Sequence, residues 1–219
     1  MTYLTVAPGH GAFTTVNVGG VKVPAIRQEK LEDCGPSCIG LVLRMTKYAG
    51  ADGILPSALR SASQASSGFY YRPAPSDVVR GTSTALNNLA LIMSGSIAKD
   101  RDTGTYGNNI AATLREQYGF GKAKSQESTA IKEILRGATF ANPYIVNVAG
   151  DGGGGHWIVA CGHKGVFIGH GSYLFSDPYY GVGWITIPRE TTGGGMKQPS
   201  YEPAAGARGH FSGWYISLR

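Results

Sequence analysis

The sequence has few cysteines, and their spacing excludes several common uses of this residue. Only three occur among 219 residues: Cys34 and Cys38 are four positions apart, and Cys161 is remote from both. Three thiols cannot all pair, so a disulfide-stabilised scaffold is excluded, and the lack of a CxxC pair disfavours a structural zinc site. At least one free thiol is expected, which favours a reducing compartment.

Charged residues and long apolar runs are also scarce. Asp, Glu, Lys and Arg make up 16% of the chain, against about 25% in an average domain. The basic side chains give a net charge of +6, but they are scattered and form no nucleic-acid-binding motif. No apolar run is long enough to span a membrane, and the N-terminus lacks the basic and apolar regions of a general secretory signal. We therefore predict a soluble protein that binds neither nucleic acid nor membrane.

Glycine, in contrast, is abundant, with 33 residues, and this predicts many turns between short strands. Residues 14–26 alternate apolar and polar side chains around Gly19-Gly20, the pattern of a β-hairpin with a two-residue turn. Six short β-branched and aromatic runs follow Asn142 and predict an antiparallel sheet: PYIVNV, HWIVACG, GVFIGH, YLFSDP, GWITIP and GWYISL.

Helices are predicted between the hairpin and these strands. One follows Cys34, with Pro36 at its first position. A short helix and then a loop are expected in residues 57–81, and another helix near residues 84–93. A further helix has Asn108 as its cap and ends at Gly119, and the last is capped near Ser128 and ends at Gly137. Helices and strands are thus segregated along the chain, which predicts a single α+β domain.

Cys34 lies in the segment QEKLEDCGPSC, among polar and turn-forming residues. If a helix opens at Gly35-Pro36, its free backbone N–H groups and the positive end of its dipole point at the sulfur. Such a site stabilises the thiolate, which is the nucleophilic form. Asp33 would oppose this by its like charge unless its side chain caps the helix and turns away. A buried, inert cysteine is the alternative interpretation.

A thiolate that performs acyl transfer needs a histidine to move its proton and a third group to orient that histidine. The chain has five histidines: His10, His156, His163, His170 and His210. His156 opens an apolar strand after a glycine loop, whereas His163 ends that strand about 23 Å away. Asp177 ends another apolar strand and could accept the imidazole N–H. Gln28 could supply a second N–H donor beside the Cys34 backbone for an oxyanion hole.

Three segments together carry a family resemblance: Q-x5-C-G-P-x-C at 28–38, GHWIVACG at 155–162 and FSDPYYG at 175–181. They resemble the papain-like double-glycine cysteine peptidases, which trim bacteriocin leader peptides. The resemblance implies a papain-like fold, with Cys34 as nucleophile, His156 as general base and acid, Asp177 as orienter and Gln28 as oxyanion donor. It implies a catalytic core over residues 24–188, with a hairpin extension at 1–23 and a C-terminal extension at 189–219. Cys38, Cys161 and Trp157 are assigned to packing, and no cofactor or metal is expected.

The chain departs from the transporter-linked members of that family because no membrane or ATPase module follows the peptidase motifs. It is similar in this respect to papain-like toxin domains of bacterial competition systems. The function expected from the resemblance is an endopeptidase that cuts a protein after small residues such as Gly-Gly, acting as a bacterial toxin or effector. The expected partners are a protein substrate and a cognate immunity or inhibitor protein. It would act in the cytoplasm of its producer, or be delivered into a target cell by a specialised secretion system.

Two other functions fit the same residues. The same machinery could deamidate or transglutaminate a Gln or Asn side chain, since these reactions are also acyl transfers. A papain-like relative could instead bind a partner without catalysis. A Cys/His metal site would need a fourth ligand, and the sequence offers no convincing one.

Overall fold

Strands dominate the computed structural model, which describes residues 4–5, 10–28, 33–56, 58–59, 105–150, 155–165, 171–187 and 199–219. The helices are α1 (Cys34–Met45), α2 (Gly107–Glu116) and α3 (Ile131–Arg136), and a 3-10 turn spans Ala51–Gly53. The strands are β1 (Phe13–Val18), β2 (Val21–Ile26), β3 (Lys124–Glu127), β4 (Tyr144–Gly150), β5 (Gly155–Gly165), β6 (Gly171–Asp177), β7 (Gly181–Ile187), β8 (Ser200–Ala204) and β9 (Ala207–Ser217). The predicted α+β class is confirmed.

The predicted hairpin is confirmed as β1–β2. Val18 pairs with Val21 across the turn, and Gly19 and Gly20 have φ angles of 58° and 86°. Left-handed angles at both turn positions match the right-handed twist of the flanking strands, and glycine adopts them without a Cβ penalty. The Gly20 N–H donates to the Asn17 side-chain oxygen at 2.9 Å, which closes the turn.

A seven-stranded antiparallel sheet forms the body of the protein. Its order is β3-β9-β4-β5-β6-β7, with β8 paired to β9. The strands β8 and β9 both lie within residues 189–219, which the family resemblance assigned to a C-terminal extension. The last strand of the chain therefore lies inside the sheet, between β3 and β4. The sheet joins the predicted core and the predicted extension in one hydrogen-bonded layer.

The two faces of the sheet pack into separate cores. Alternation along β5 directs Trp157 and Val159 into the core that contains α1, and Ile158 and Ala160 into the opposite core. The opposite core is covered by α3, which contacts β5. The position of α1 on one face brings its first turn to the end of the sheet where β5 begins and β6 ends.

The helices α1, α2 and α3 were predicted correctly, but the residues at which they begin were not. Pro36 is the third residue of α1, because the helix already begins at Cys34. A proline is accommodated there because first-turn N–H groups have no partner within the helix. The cap of α2 is Tyr106 instead of Asn108, and the cap of α3 is Ala130. Gly137 does end α3, as predicted.

Some predicted elements fall on parts of the chain that the structure does not describe. The helix near residues 84–93 and most of the run GVFIGH lie outside the described residues, as does most of the stretch 57–81. No helix among the described residues is both long and apolar enough to cross a membrane.

Candidate functional site

Cys34 is the first residue of α1, so its sulfur lies at the N-terminal end of the helix as the sequence predicted. The residue is 3% exposed and belongs to the core between α1 and the sheet. Asp33 occupies the cap position and makes no capping hydrogen bond with its side chain. A Cβ on Gly35 would lie 2.5 Å from the Thr105 Cβ, so this glycine allows the first turn of α1 to pack closely against Thr105.

His156 is brought to this helix end by β5, of which it is the second residue. Its Nε2–H donates to Asp177 Oδ1 at 2.7 Å, and the ring lies close enough to Cys34 for the sulfur to raise the pKa of His156. His156 pairs with Val148 of β4, and this strand register determines the position of His156 along the sheet. The sulfur, the ring and the carboxylate therefore lie together at this end of the sheet.

Asp177, the last residue of β6, has a fully buried side chain that four donors surround. Oδ1 accepts from His156 Nε2–H and from the backbone N–H groups of Tyr179 and Tyr180 at 2.7 and 2.9 Å. Oδ2 accepts from the Tyr201 hydroxyl at 2.7 Å. A buried carboxylate is stable only when its oxygens are satisfied in this way. The turn after β6 and the side chain from β8 thus fix the orientation of the carboxylate.

The electrostatics of the pair favour its charged form. Burial alone would lower the pKa of His156, but the charge and hydrogen bond of Asp177, with a smaller contribution from Cys34, raise it to about 10. Burial would likewise raise the pKa of Asp177, yet the His156 charge and the surrounding donors hold it below its usual value. Burial and the neighbouring carboxylate raise the pKa of Tyr201 well above its ordinary value, so this hydroxyl remains a donor.

Gln28 lies beside the same turn. Its backbone N–H donates to the Pro178 carbonyl at 2.8 Å, directly after Asp177, and its own carbonyl accepts from His10 Nδ1 at 3.3 Å. The residue is buried. The structure therefore brings Gln28 to the neighbourhood of Cys34, His156 and Asp177, and its role as an oxyanion donor stays a prediction.

The other cysteines and histidines have different surroundings. Cys38 and Cys161 are fully buried, and burial raises the pKa of both thiols, which disfavours their thiolates. His163 packs against the Tyr173 ring, with 5.0 Å between ring centroids. His210 pairs with Ala149 in the sheet. His170 lies outside the described residues.

Tyr201 is the site residue that sequence reasoning missed. It follows Asp177 by 24 positions and lies in β8, within the segment assigned to the C-terminal extension. No local pattern marks it, because a tyrosine in a short alternating strand is ordinary. Tyr201 reaches Asp177 because β8 pairs with β9, and this pairing cannot be inferred from the local sequence.

A thiol, an imidazole and a buried carboxylate that lie together in this way have the chemistry that nucleophilic acyl transfer requires. Within the described ranges, no group of three or more His, Cys, Asp and Glu side chains is placed to hold a metal ion. No protein-family model matches the chain, and no curated protein matches it. Its function is therefore inferred from the site and from the motif resemblance.

Proposed function

We propose that the chain is a papain-like cysteine endopeptidase that cuts a protein substrate after small residues such as Gly-Gly. The observation that supports this most strongly is the position of the His156 ring beside Cys34 and in a 2.7 Å hydrogen bond to Asp177. The three residues come from a helix end, a strand start and a strand end that are far apart in the sequence. The motif resemblance predicts that Cys34, His156 and Asp177 lie close together, and their positions in the fold are consistent with that prediction.

The proposed reaction proceeds through a thioester. The Cys34 thiolate attacks the substrate carbonyl carbon, a C–S bond forms, and the carbonyl π electrons move to oxygen. The backbone N–H of Cys34 and the Gln28 amide are the proposed donors to this oxyanion. When the intermediate collapses, the C–N bond breaks and protonated His156 gives its proton to the leaving amine. The ring then takes a proton from water, whose oxygen attacks the thioester and releases the acid and the sulfur.

Asp177 holds the ring in the tautomer and orientation that this sequence of steps needs. Its Oδ1 accepts from Nε2–H, which leaves Nδ1 as the nitrogen that exchanges a proton with sulfur, amine and water. The high pKa of His156 keeps the ring protonated near neutral pH, ready to act as the acid. Burial of the carboxylate preserves the strength of the interaction because water does not screen it.

The biological setting is part of the proposal and rests on the resemblance. A free-standing member of this peptidase group would act as a bacterial toxin or effector on a protein of the target cell. Its partners would be that substrate and a cognate immunity or inhibitor protein. Small residues before the cut bond are the preference that the resemblance implies.

The test compares proteomes treated with the wild-type protein and with Cys34→Ala. We expect new peptide termini only with the wild type, read by mass spectrometry. A matched control is Cys161→Ala, which removes a buried thiol of β5 and should retain cleavage. Equal cleavage by Cys34→Ala and the wild type would refute the nucleophile assignment.

The same experiment separates the alternatives. A mass gain of about 1 Da on Gln or Asn without chain cleavage would identify a deamidase acting through the same thioester chemistry. A covalent probe for cysteine peptidases should label Cys34 in the wild type. A protein that neither labels nor modifies any target would instead be a binding module.

A further inference from the structure

A cavity of about 90 Å³, partly open to solvent, adjoins the proposed catalytic ring. It lies over β4, β5 and β9, at the end of the sheet where β5 begins. Its lining residues are Val148, Gly150, His156, Tyr180, Tyr201, Pro203, Ala207, Arg208 and Gly209. We name it the leaving-group cavity for the reason given below.

The leaving-group cavity lies on the histidine side of the site. Its wall includes His156 but neither Cys34 nor Gln28. The His156 side chain is 22% exposed, whereas Cys34 is 3% exposed. Among the described residues, the accessible side of the pair is therefore the imidazole side, where the cavity opens.

The chemistry of the proposed reaction assigns this side to one half of the substrate. The acyl half becomes bonded to the Cys34 sulfur, whereas the leaving amine must come within hydrogen-bonding distance of the imidazole that protonates it. The amine belongs to the residue that follows the cut bond. Because His156 forms part of the cavity wall, the side chain of the residue after the cut bond is the part of the substrate that lies closest to the cavity.

The cavity walls favour an apolar occupant. Val148, Pro203 and Ala207 contribute aliphatic surface. The Tyr201 hydroxyl is already committed to Asp177, so this residue presents its ring to the cavity. A polar side chain in such a cavity would lose its hydrogen bonds to water without replacement.

Two cations lie in the wall, and neither reverses this preference. The protonated His156 ring is already paired with Asp177, at 2.7 Å. Arg208 is 72% exposed, and its Nε lies 3.9 Å from Glu202 Oε1. Its charge is therefore directed to solvent and offset by an acidic neighbour. We propose that the leaving-group cavity binds an aliphatic side chain, such as Val, Leu, Ile or Met, on the residue directly after the cut bond. This inference rests on the proposed peptidase function.

The test uses a peptide library derived from a bacterial proteome, digested with the wild-type protein and with Cys34→Ala. Mass spectrometry reads the residue at each new N-terminus that only the wild type produces. We expect aliphatic residues to exceed acidic residues by about tenfold or more after correction for their abundance, the discrimination that an apolar pocket can supply.

A matched pair of variants links this preference to the cavity. Ala207 shares a strand face with the buried Phe211, so Ala207→Leu directs extra volume into the cavity. Ala205 lies exposed in the turn between β8 and β9 and does not line the cavity. Ala207→Leu should abolish the aliphatic preference, and Ala205→Leu, which directs the same volume into solvent, should retain it. Ala207→Val provides a smaller obstruction if Ala207→Leu does not fold.

The outcomes separate this inference from the function on which it rests. Cys34-dependent cleavage with no preference after the cut bond, or with the preference unchanged in Ala207→Leu, overturns the assignment of the cavity and leaves the peptidase function in place. An acidic preference overturns it as well, and identifies Arg208 as the residue that selects the substrate. Absence of any Cys34-dependent cleavage overturns the peptidase function, and the assignment of the cavity with it.

Discussion

Replacement of Asp177 by Asn tests the charge pairing on which the proposed site depends. The substitution keeps the shape of the side chain and removes its charge. The amide oxygen can still accept from His156 and from the Tyr179 and Tyr180 N–H groups, and the Tyr201 hydroxyl can turn to accept from the amide nitrogen. The variant should therefore fold, and its differences from the wild type should reflect electrostatics.

The magnitude follows from the pKa of His156. A rise from 6.5 to about 10 corresponds to roughly 5 kcal/mol in favour of the charged ring, at 1.36 kcal/mol per pKa unit. Burial opposes this rise, and Asp177 is its main source. Without the carboxylate charge, burial dominates, and the ring should titrate below its ordinary pKa of 6.5.

The raised pKa of His156 also determines how the stability of the protein changes with pH. Because the folded-state pKa of His156 is raised, its stabilising contribution is complete below pH 6.5 and is lost as the pH rises through about 10. The free energy of unfolding of the wild type should therefore fall over this range, by up to roughly 5 kcal/mol from this group. In Asp177→Asn the contribution of His156 over the same range should vanish.

Two measurements check this prediction. Nuclear magnetic resonance of labelled histidine rings reports the pKa of His156, and urea unfolding at pH 6.5 and pH 10 reports the stability change. Glu202→Gln is the control, because Glu202 is a neighbouring acid that pairs with Arg208 instead of His156. A wild-type ring that titrates near 6.5, or a variant ring that still titrates near 10, would refute the reasoning. Cleavage by Asp177→Asn should fall by about 10²–10⁴-fold near neutral pH, because without the carboxylate charge the ring is no longer protonated and cannot give its proton to the leaving amine.

Two further substitutions test the supports of the site. Tyr201→Phe removes the donor to Asp177 Oδ2, which lies 2.7 Å away, and should lower the free energy of unfolding by about 1.5–3 kcal/mol, the range for a hydrogen bond to a charged group. The pKa of Asp177 should rise in this variant, measured by carboxyl resonance titration, and an unchanged value would contradict the assigned contact. Gly35→Ala places a Cβ 2.5 Å from the Thr105 Cβ and should cost about 1–3 kcal/mol in urea unfolding through overpacking. Gly53→Ala, whose Cβ would meet nothing within 4 Å, is its control, and equal stability losses in the two variants would contradict the packing argument.

Sequence reasoning succeeded where local chemistry determines the outcome. Gly19-Gly20 predicted the hairpin turn because few residues other than glycine adopt left-handed angles readily. The apolar run after Cys34 predicted α1, and the helix end then fixed the position of the sulfur. His156 and Asp177 were predicted from strand ends beside glycine and proline, where side chains can reach across to neighbouring segments.

The remainder depends on sheet order, which local patterns do not encode. The position of β9 between β3 and β4 is a long-range pairing, and nothing in residues 207–217 identifies their neighbours. Tyr201 contacts Asp177 only because β8 follows β9 to the end of the sheet. The cap of α2 was missed for another reason: Tyr106 acts without a side-chain capping bond, so the residue types that usually mark a helix start were not informative.

The C-terminal strands connect the orientation of the site with its specificity. Tyr201 on β8 fixes the Asp177 carboxylate, while Pro203 of the same strand and Ala207 of β9 form walls of the leaving-group cavity. Because β9 lies between β3 and β4, its removal would expose the edges of both strands and break the sheet that carries His156. The segment after residue 188 therefore cannot be separated from the site: the strand that supports the proposed catalytic carboxylate also shapes the space that the proposed substrate must fit.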